Sequence, residues 1–362
     1  MKILIVNTVP FSKNGITAVI MNYYRHFPAP SYTFDFISIS PMDEDLMKTF
    51  ESGKSRVFFL FRKEHPASYM IQLYSICRHG SYDAIHVHGN SATMGIELGI
   101  AHLCGIKKRI AHCHNSFCEH KVVHTFLYPI FRLQYTSALA CSESAGTWLF
   151  GKKHYTILKN AVDVERYQYS QIIRDHYRRL GNIGDDTFVI GHVGLFNRQK
   201  NQMFLLELLN QISDQDNTVL MLIGTGEEQE KIASRARAMG LEQRIRFLGE
   251  RDDVPEWMQT MDVFAFPSVY EGHPLVLVEA QASGLPCIIS DTVSQETDLS
   301  GNNIFISLGD METWKSAVLL NKPFTPDDRR SRSEHNIQKI RENGYDIKTE
   351  GRKLKELYDT LL

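Results

Sequence analysis

Cysteine is scarce in this chain: six in 362 residues, too few for a disulfide framework, so free thiols in a reducing compartment are expected. Long apolar runs are missing as well. Spanning a bilayer takes about 18 or more consecutive apolar residues, and the nearest approach, positions 92–106, is interrupted by Glu97 and His102. No membrane-spanning helix is expected. Met1 leads straight into the strand-like positions 2–6, without the basic, apolar and small-residue regions of a secretory leader, so a cytoplasmic protein is expected. A surplus of one charge is absent too. With 40 Lys plus Arg against 42 Asp plus Glu, the formal net charge is −2, and nucleic acid is not an expected partner. Neither half shows G-x-G-x-x-G after its first strand, which sets aside a nicotinamide-dependent dehydrogenase.

What is present is a globular composition, 43% hydrophobic and 23% charged. The length exceeds the roughly 250–300 residues at which a single core stops growing, so two domains are expected. Short β-rich runs alternate with helical patterns, as in βαβ units around a parallel sheet. Candidate strands lie at 2–7, 33–38, 56–60, 84–88, 109–113, 138–141 and 156–158, then at 188–193, 219–223, 245–248, 263–266, 287–290 and 303–306. The fold class is α/β with two sheets. A polar stretch at 167–186, holding an Arg- and Tyr-rich helical segment that ends at Gly181, separates the two series, and the hinge is placed near 165. The tail 347–362 reads as an amphipathic helix with Leu354, Leu357, Leu361 and Leu362 near helical spacing.

The most informative segment runs from Tyr270 through Glu271, Gly272, His273, Pro274, Leu275 and Val276 to Glu279, after a strand that ends at Pro267. It reads as strand, loop and helix, with Glu271 on the loop and Glu279 inside the helix. Backbone N–H groups of 273–276 at such a helix start are unpaired and lie at the positive end of the macrodipole, which suits a diphosphate. Glu279 can accept from two vicinal ribose hydroxyls, and Glu271 is placed to meet sugar hydroxyls. The plain alternative is one exposed and one capping glutamate.

Glu271 to Glu279 resembles the E-x7-E signature of the retaining glycosyltransferases of family 4, which have the GT-B fold. Gly191, His192, Val193 and Gly194, then Arg198, Gln199, Lys200 and Asn201, resemble that family's glycine-rich strand end and phosphate-binding lysine. Positions 222–227, with Gly224 and Gly226, resemble its second glycine turn, and 246–249 with Arg251, Asp252, Asp253 and Val254 its base-proximal loop. Together with 262–268 these matches cover roughly 188–291 in order, and the first half matches more loosely.

The resemblance implies two Rossmann-like domains facing each other across a cleft. Residues 1–165, joined by helix 347–362, would bind the acceptor, and residues 166–346 the nucleotide sugar. A sugar, UDP-linked in preference to GDP-linked, would pass to a glycan or lipid-linked acceptor with retention of configuration, without metal or other cofactor, in surface polysaccharide assembly. The implied nucleotide-sugar-binding residues are Gly15, Gly194, Arg198, Lys200, Gly224, Arg251, Glu271, His273, Pro274, Leu275, Val276 and Glu279. The implied catalytic residues are His114, Lys200 and Glu271. Lys200 beside the diphosphate would stabilise the charge that builds as the glycosidic bond breaks.

Leu195 stands where the family usually carries Arg, directly after the second glycine, and Arg198 is the candidate to replace that charge. Gly15, among Asn14, Ile16 and Thr17, is either the first glycine loop or a plain strand-to-helix turn. Asn160, Ala161, Val162 and Asp163 resemble the linker motif, with Ala161 where glycine is common. His86, His88, His112 and His114 fall at two strand ends, where side chains face the ligand crevice of a parallel sheet. His114 matches the family's active-site histidine best and His112 is the fallback, against the alternative of structural histidines. Cys113, Cys118, His120 and His124 lack zinc-finger spacing, so no metal site is expected. Asp43, Glu44 and Asp45 read as D-x-D, the metal-nucleotide motif of the other transferase fold, but their place before a helical run marks a solvated helix start. The basic groups Lys107, Lys108, Arg109 and Arg329, Arg330, Arg332 read as solvated faces; the first is a candidate for peripheral contact with anionic headgroups at the inner membrane surface. Two other functions stay open: a nucleotide-sugar epimerase on the same fold, and a non-catalytic nucleotide-binding subunit of a transferase complex.

Overall fold

The computed structural model describes all residues except 13, 43, 119, 213–216, 272, 322–324 and 361–362. Asp43 of the D-x-D, Gly272 of the signature, and Leu361 and Leu362 of the tail lie outside the described residues. Contacts divide the chain into one unit of Met1–Ala161 with Ile347–Leu362 and another of Val162–Asp346.

The first unit holds seven parallel strands: β1 (Lys2–Asn7), β2 (Thr33–Ser38), β3 (Val57–Phe59), β4 (Ala84–Gly89), β5 (Lys108–Cys113), β6 (Ser137–Ala140) and β7 (Thr156–Ile157). Their order is β3-β2-β1-β4-β5-β6-β7. Helices cover both faces of such a sheet, so its central strands need apolar side chains on both sides. β4 is buried at every position. Leu4, Val6, Ile85, Val87 and Ala111 point into one core. The helix Gly15–Arg25 follows β1, and Asn14 Oδ1 caps it by accepting from Thr17 N at 3.0 Å.

The C-terminal helix Ile347–Thr360 belongs to this unit rather than to the one that precedes it in sequence. Ile347, Glu350, Gly351, Leu354 and Tyr358 form its buried stripe, at the spacing of one helical face. Glu350 Oε2 accepts from Lys159 N at 3.0 Å, and the Tyr358 hydroxyl meets His86 Nδ1 at 2.7 Å. A Cβ at position 351 would lie 3.3 Å from the His26 carbonyl oxygen, so glycine permits the close approach. Leu357 is only half-buried.

The second unit holds six parallel strands: β8 (Phe188–Val193), β9 (Thr218–Ile223), β10 (Ile245–Gly249), β11 (Val263–Phe266), β12 (Cys287–Ser290) and β13 (Ile304–Ile306). Their order, β10-β9-β8-β11-β12-β13, repeats that of the first six strands of the other sheet. In each, the order reverses beside the unit's first strand, which leaves a crevice at the carboxyl ends of β1 and β4 and of β8 and β11.

Two of the expected solvated arginines are buried instead. Arg109 donates to the carbonyls of Gln134 at 2.6 Å and Ile106 at 2.8 Å. Arg329 donates to those of Ser283, Gln259, Met258 and Met261. A guanidinium with five donors in a fixed fork satisfies several buried carbonyls at once, and sequence alone does not show that those carbonyls face it. Glu44 and Asp45 do open a helix, Glu44–Ser52, and are exposed. All six cysteines are free thiols.

Replacing Leu354 by Ala should cost about 2–4 kcal/mol by removing a buried side chain from the C-terminal helix. Thermal unfolding would show it as a lowered midpoint. An unchanged midpoint would mean that the helix is not anchored through this face.

Candidate active site

In the second unit the turns after β8 and β9 pack on each other through backbone alone. Gly224 has φ +129°, and a Cβ there would lie 2.1 Å from the Gly194 carbonyl oxygen, so no other residue fits. Gly194 N in turn donates to Ile223 O at 3.0 Å. The chain then reaches Asn201 in the left-handed conformation, φ 55°, which turns it into the helix Gln202–Gln211. Lys200 sits in that turn, its backbone N–H bound to Asn197 Oδ1 at 2.9 Å.

The Lys200 side chain crosses the Phe266 ring, with Nζ 4.7 Å from the centroid, and ends 2.7 Å from Glu271 Oε1. Both side chains are mostly buried, 16% and 12% exposed. Gln199 Nε2 donates to the same Glu271 oxygen and to Tyr270 O, each at 3.0 Å. Glu271 itself lies on the loop after β11, bridged to Val293. A lysine and a carboxylate held together at a strand switch point offer donors for phosphate and an acceptor for hydroxyls.

Glu271 is followed by His273, whose ring stacks on Tyr345 at 4.4 Å, and by Pro274, which caps the helix Leu275–Ala282. Among the described residues no side chain caps this helix, so Leu275 and Val276 begin it with backbone N–H groups available to an anion. Glu279 stands on the same helix, half-buried, hydrogen-bonded to the Tyr167 hydroxyl. Burial pushes its carboxyl up to about 7, against the lowering influence of Tyr167 and Arg166.

The other sequence candidates have surroundings of their own. Arg198 is 90% exposed and approaches Glu228 at 3.7 Å, so it does not bring a charge beside Lys200 in place of Leu195. Arg251 forms a bidentate pair with Asp253, both bonds 2.7 Å. In the first unit, Gly15 opens its helix with nothing within 4 Å of where a Cβ would be. His114, just past β5, contacts His88 Nδ1 through Nε2 at 2.8 Å, and burial lowers it to about 3. His112 is fully buried and joined to His86. Gln199 and Tyr167 were assigned no role from sequence. Gln199 lies between Arg198 and Lys200 in the segment that follows the glycine-rich strand end, but Tyr167 is over a hundred positions from Glu279 and nothing in the pattern links them.

The raised Glu279 carboxyl has a definite sign for stability. Its folded value lies above the ordinary one of 4.5, so the folded state holds the proton more tightly and loses stability as pH rises from about 4.5 to about 7. Glu279→Gln should therefore raise the unfolding midpoint at pH 8, by the equivalent of about 2 kcal/mol, and change it much less at pH 5. Equal effects at the two pH values would contradict the shifted ionisation.

Comparison with known proteins identifies the family. A family profile described as "Glycosyl transferases group 1" matches residues 187–320. The chain is 32% identical over 306 residues to EpsF of Bacillus subtilis (strain 168), a protein assigned as a glycosyltransferase, covering 79% of this chain and 78% of that one. It is 28% identical over 316 residues to the Escherichia coli UDP-Gal:alpha-D-GlcNAc-diphosphoundecaprenol alpha-1,3-galactosyltransferase, covering 80% and 78%. Among solved structures, Anabaena HepE in complex with UDP superposes with a TM-score of 0.80 at 17% identity, over 99% of this chain and all of that one. That likeness is one of fold, the two-sheet α/β architecture of GT-B enzymes. With the profile seated on the unit that carries Lys200, Glu271 and Glu279, and a relative 32% identical across most of both chains, the chain belongs to the group 1 glycosyltransferases.

Proposed function

We propose that this enzyme moves a sugar from a UDP-sugar to a glycan or lipid-linked acceptor, with retention of anomeric configuration and without a metal, in the assembly of a surface polysaccharide at the cytoplasmic face of the membrane. The observation that carries the reading is the Lys200–Glu271 pair, 2.7 Å apart, beside an uncapped helix that also bears Glu279. The donor's diphosphate takes the amides of 273–276 and the ammonium of Lys200, which neutralises charge as the glycosidic bond breaks. Ribose hydroxyls donate to Glu279. Glu271, released from Lys200 by the phosphate, accepts from sugar hydroxyls. Gly194 and Gly224 let the loops approach the nucleotide, and Arg251, fixed by Asp253, borders the base.

The first unit takes the acceptor, through the open space at Gly15 and the imidazole of His114. No general base is required, because the departing phosphate oxygen can take the acceptor proton. Lysine charge then does the work that a divalent cation does elsewhere. The E. coli relative's named donor is a UDP-galactose and its acceptor a diphosphoundecaprenol-linked sugar, which supports a lipid-linked acceptor of the same class. A Campylobacter jejuni relative, 25% identical, carries a name of the same kind. The relatives are named as transferases, and the epimerase reading gains no support from them.

The helix Lys121–Gln134 supports membrane contact. Val122 is 83% exposed and Phe126 79%, with Ile130 and Leu133 continuing the same stripe. Such a face on a helix that opens with Lys121 suits an anionic bilayer surface; Arg109, being buried, takes no part.

In buffer without added magnesium or manganese, transfer should proceed, and Lys200→Ala should lower turnover about 100-fold or more. Undiminished turnover in that variant would refute the assignment. Replacing both Phe126 and Leu133 by Ser should reduce co-sedimentation with phosphatidylglycerol vesicles severalfold while leaving UDP affinity unchanged. Equal sedimentation would remove the membrane contact.

A further inference from the structure

The histidines of β4 and β5 hold something the transfer reaction does not use. Register pairs His88 directly with His112, and alternation along both strands puts His86, His88, His112 and His114 on one face of the sheet. His86, His88 and His112 are each at least nine-tenths buried. One ring nitrogen from each of these three lies within 4.8 Å of the others, and His86 Nε2 is 3.2 Å from His112 Nδ1. Nitrogens bound to one tetrahedral zinc, at about 2.0–2.1 Å from it, stand roughly 3.3–3.4 Å apart.

We propose that His86, His88 and His112 form a structural zinc site within the first unit. All-nitrogen donors with no carboxylate favour zinc over magnesium or calcium. The surroundings suit the ion. A cavity of about 30 Å³ borders the three rings, enough for a fourth, water ligand. When His86 Nε2 gives its lone pair to the metal, Nδ1 keeps the proton and donates to the Tyr358 oxygen at 2.7 Å. His88, using its other nitrogen, is oriented in the same way by His114 at 2.8 Å. These are the outer contacts that fix ring orientation in zinc sites. Bound there, zinc ties β4 to β5 and, through Tyr358, holds the C-terminal helix.

The test is to load the full chain with zinc chloride, dialyse it against metal-free buffer and measure retained zinc by mass spectrometry. About one zinc per chain is expected in the wild type and less than about a tenth of that in His86→Ala and in His88→Ala, whereas His65→Ala and His79→Ala, at exposed positions, keep it. No retained zinc in the wild type, or equal retention after His86→Ala, would overturn the site. Should the buried variants fail to fold, cobalt(II) bound to the wild type decides the matter: intense visible bands of four-coordinate cobalt support the site, and the weak spectrum of a six-coordinate ion sinks it.

Discussion

The constraint on which the rest depends is the reversal of strand order beside β1 and β8. A parallel strand must return through a crossover, and successive crossovers proceed outward on one side of the first strand and then on the other. Where the direction changes, the loops on either side diverge, and the carboxyl ends are left uncovered. In the second unit, that is where Gly194 leaves β8 and Pro267 leaves β11. Lys200 follows the first and Glu271 the second, so residues 71 positions apart meet at 2.7 Å. Neither would be held without the pairing of β8 with β11, Val263 beside Ile190 and Phe264 beside Gly191.

The Lys200–Glu271 pair is only worth having where something will replace one partner. Removing two charges from water costs as much as their attraction returns, so such a pair adds little net stability. Its use lies in keeping both groups oriented and largely dry. Gln199 strengthens that arrangement by supplying a second donor to Glu271, and the Phe266 ring gives the lysine a face on which its ammonium is favoured. A phosphate arriving at Lys200 then exchanges one anion for another, rather than stripping water from a solvated lysine.

Elsewhere the protein handles buried polarity by saturation. Arg109 and Arg329 spend their guanidinium donors on carbonyl groups at the ends of neighbouring segments. Asp262 accepts from Arg174 at 2.6 Å and from Val189 N at 2.8 Å, tying the start of β8 to the residue ahead of β11. These contacts stand at the amino ends of the strands, opposite the crevice, and they hold the frame while the carboxyl ends are left free for chemistry. The histidines of β4 and β5 are neutral for the same reason that the arginines are paired: an unshared charge would not survive that depth of burial.

Sequence by itself determined the alternation of strands and helices, hence both parallel sheets, because apolar runs of strand length separated by amphipathic stretches have few other ways to bury themselves. It also determined the order of the chemical groups along the second unit, since Gly194, Lys200, Glu271 and Glu279 occupy fixed stations on β-loop-α segments whose local geometry follows from glycine, proline and helix-start signals. The helix Ile347–Thr360 was legible as an apolar stripe in need of a surface, and the family resemblance assigned that surface to the first unit. Tertiary structure alone decided the partners. That Tyr167 would meet Glu279, that Arg329 would be buried while Arg330 stayed in water, and that Arg198 would point at Glu228 rather than stand in for the charge missing at Leu195, all depend on which surfaces come together. A side chain's neighbours across a fold are set by packing between segments far apart in sequence, and no local pattern encodes them.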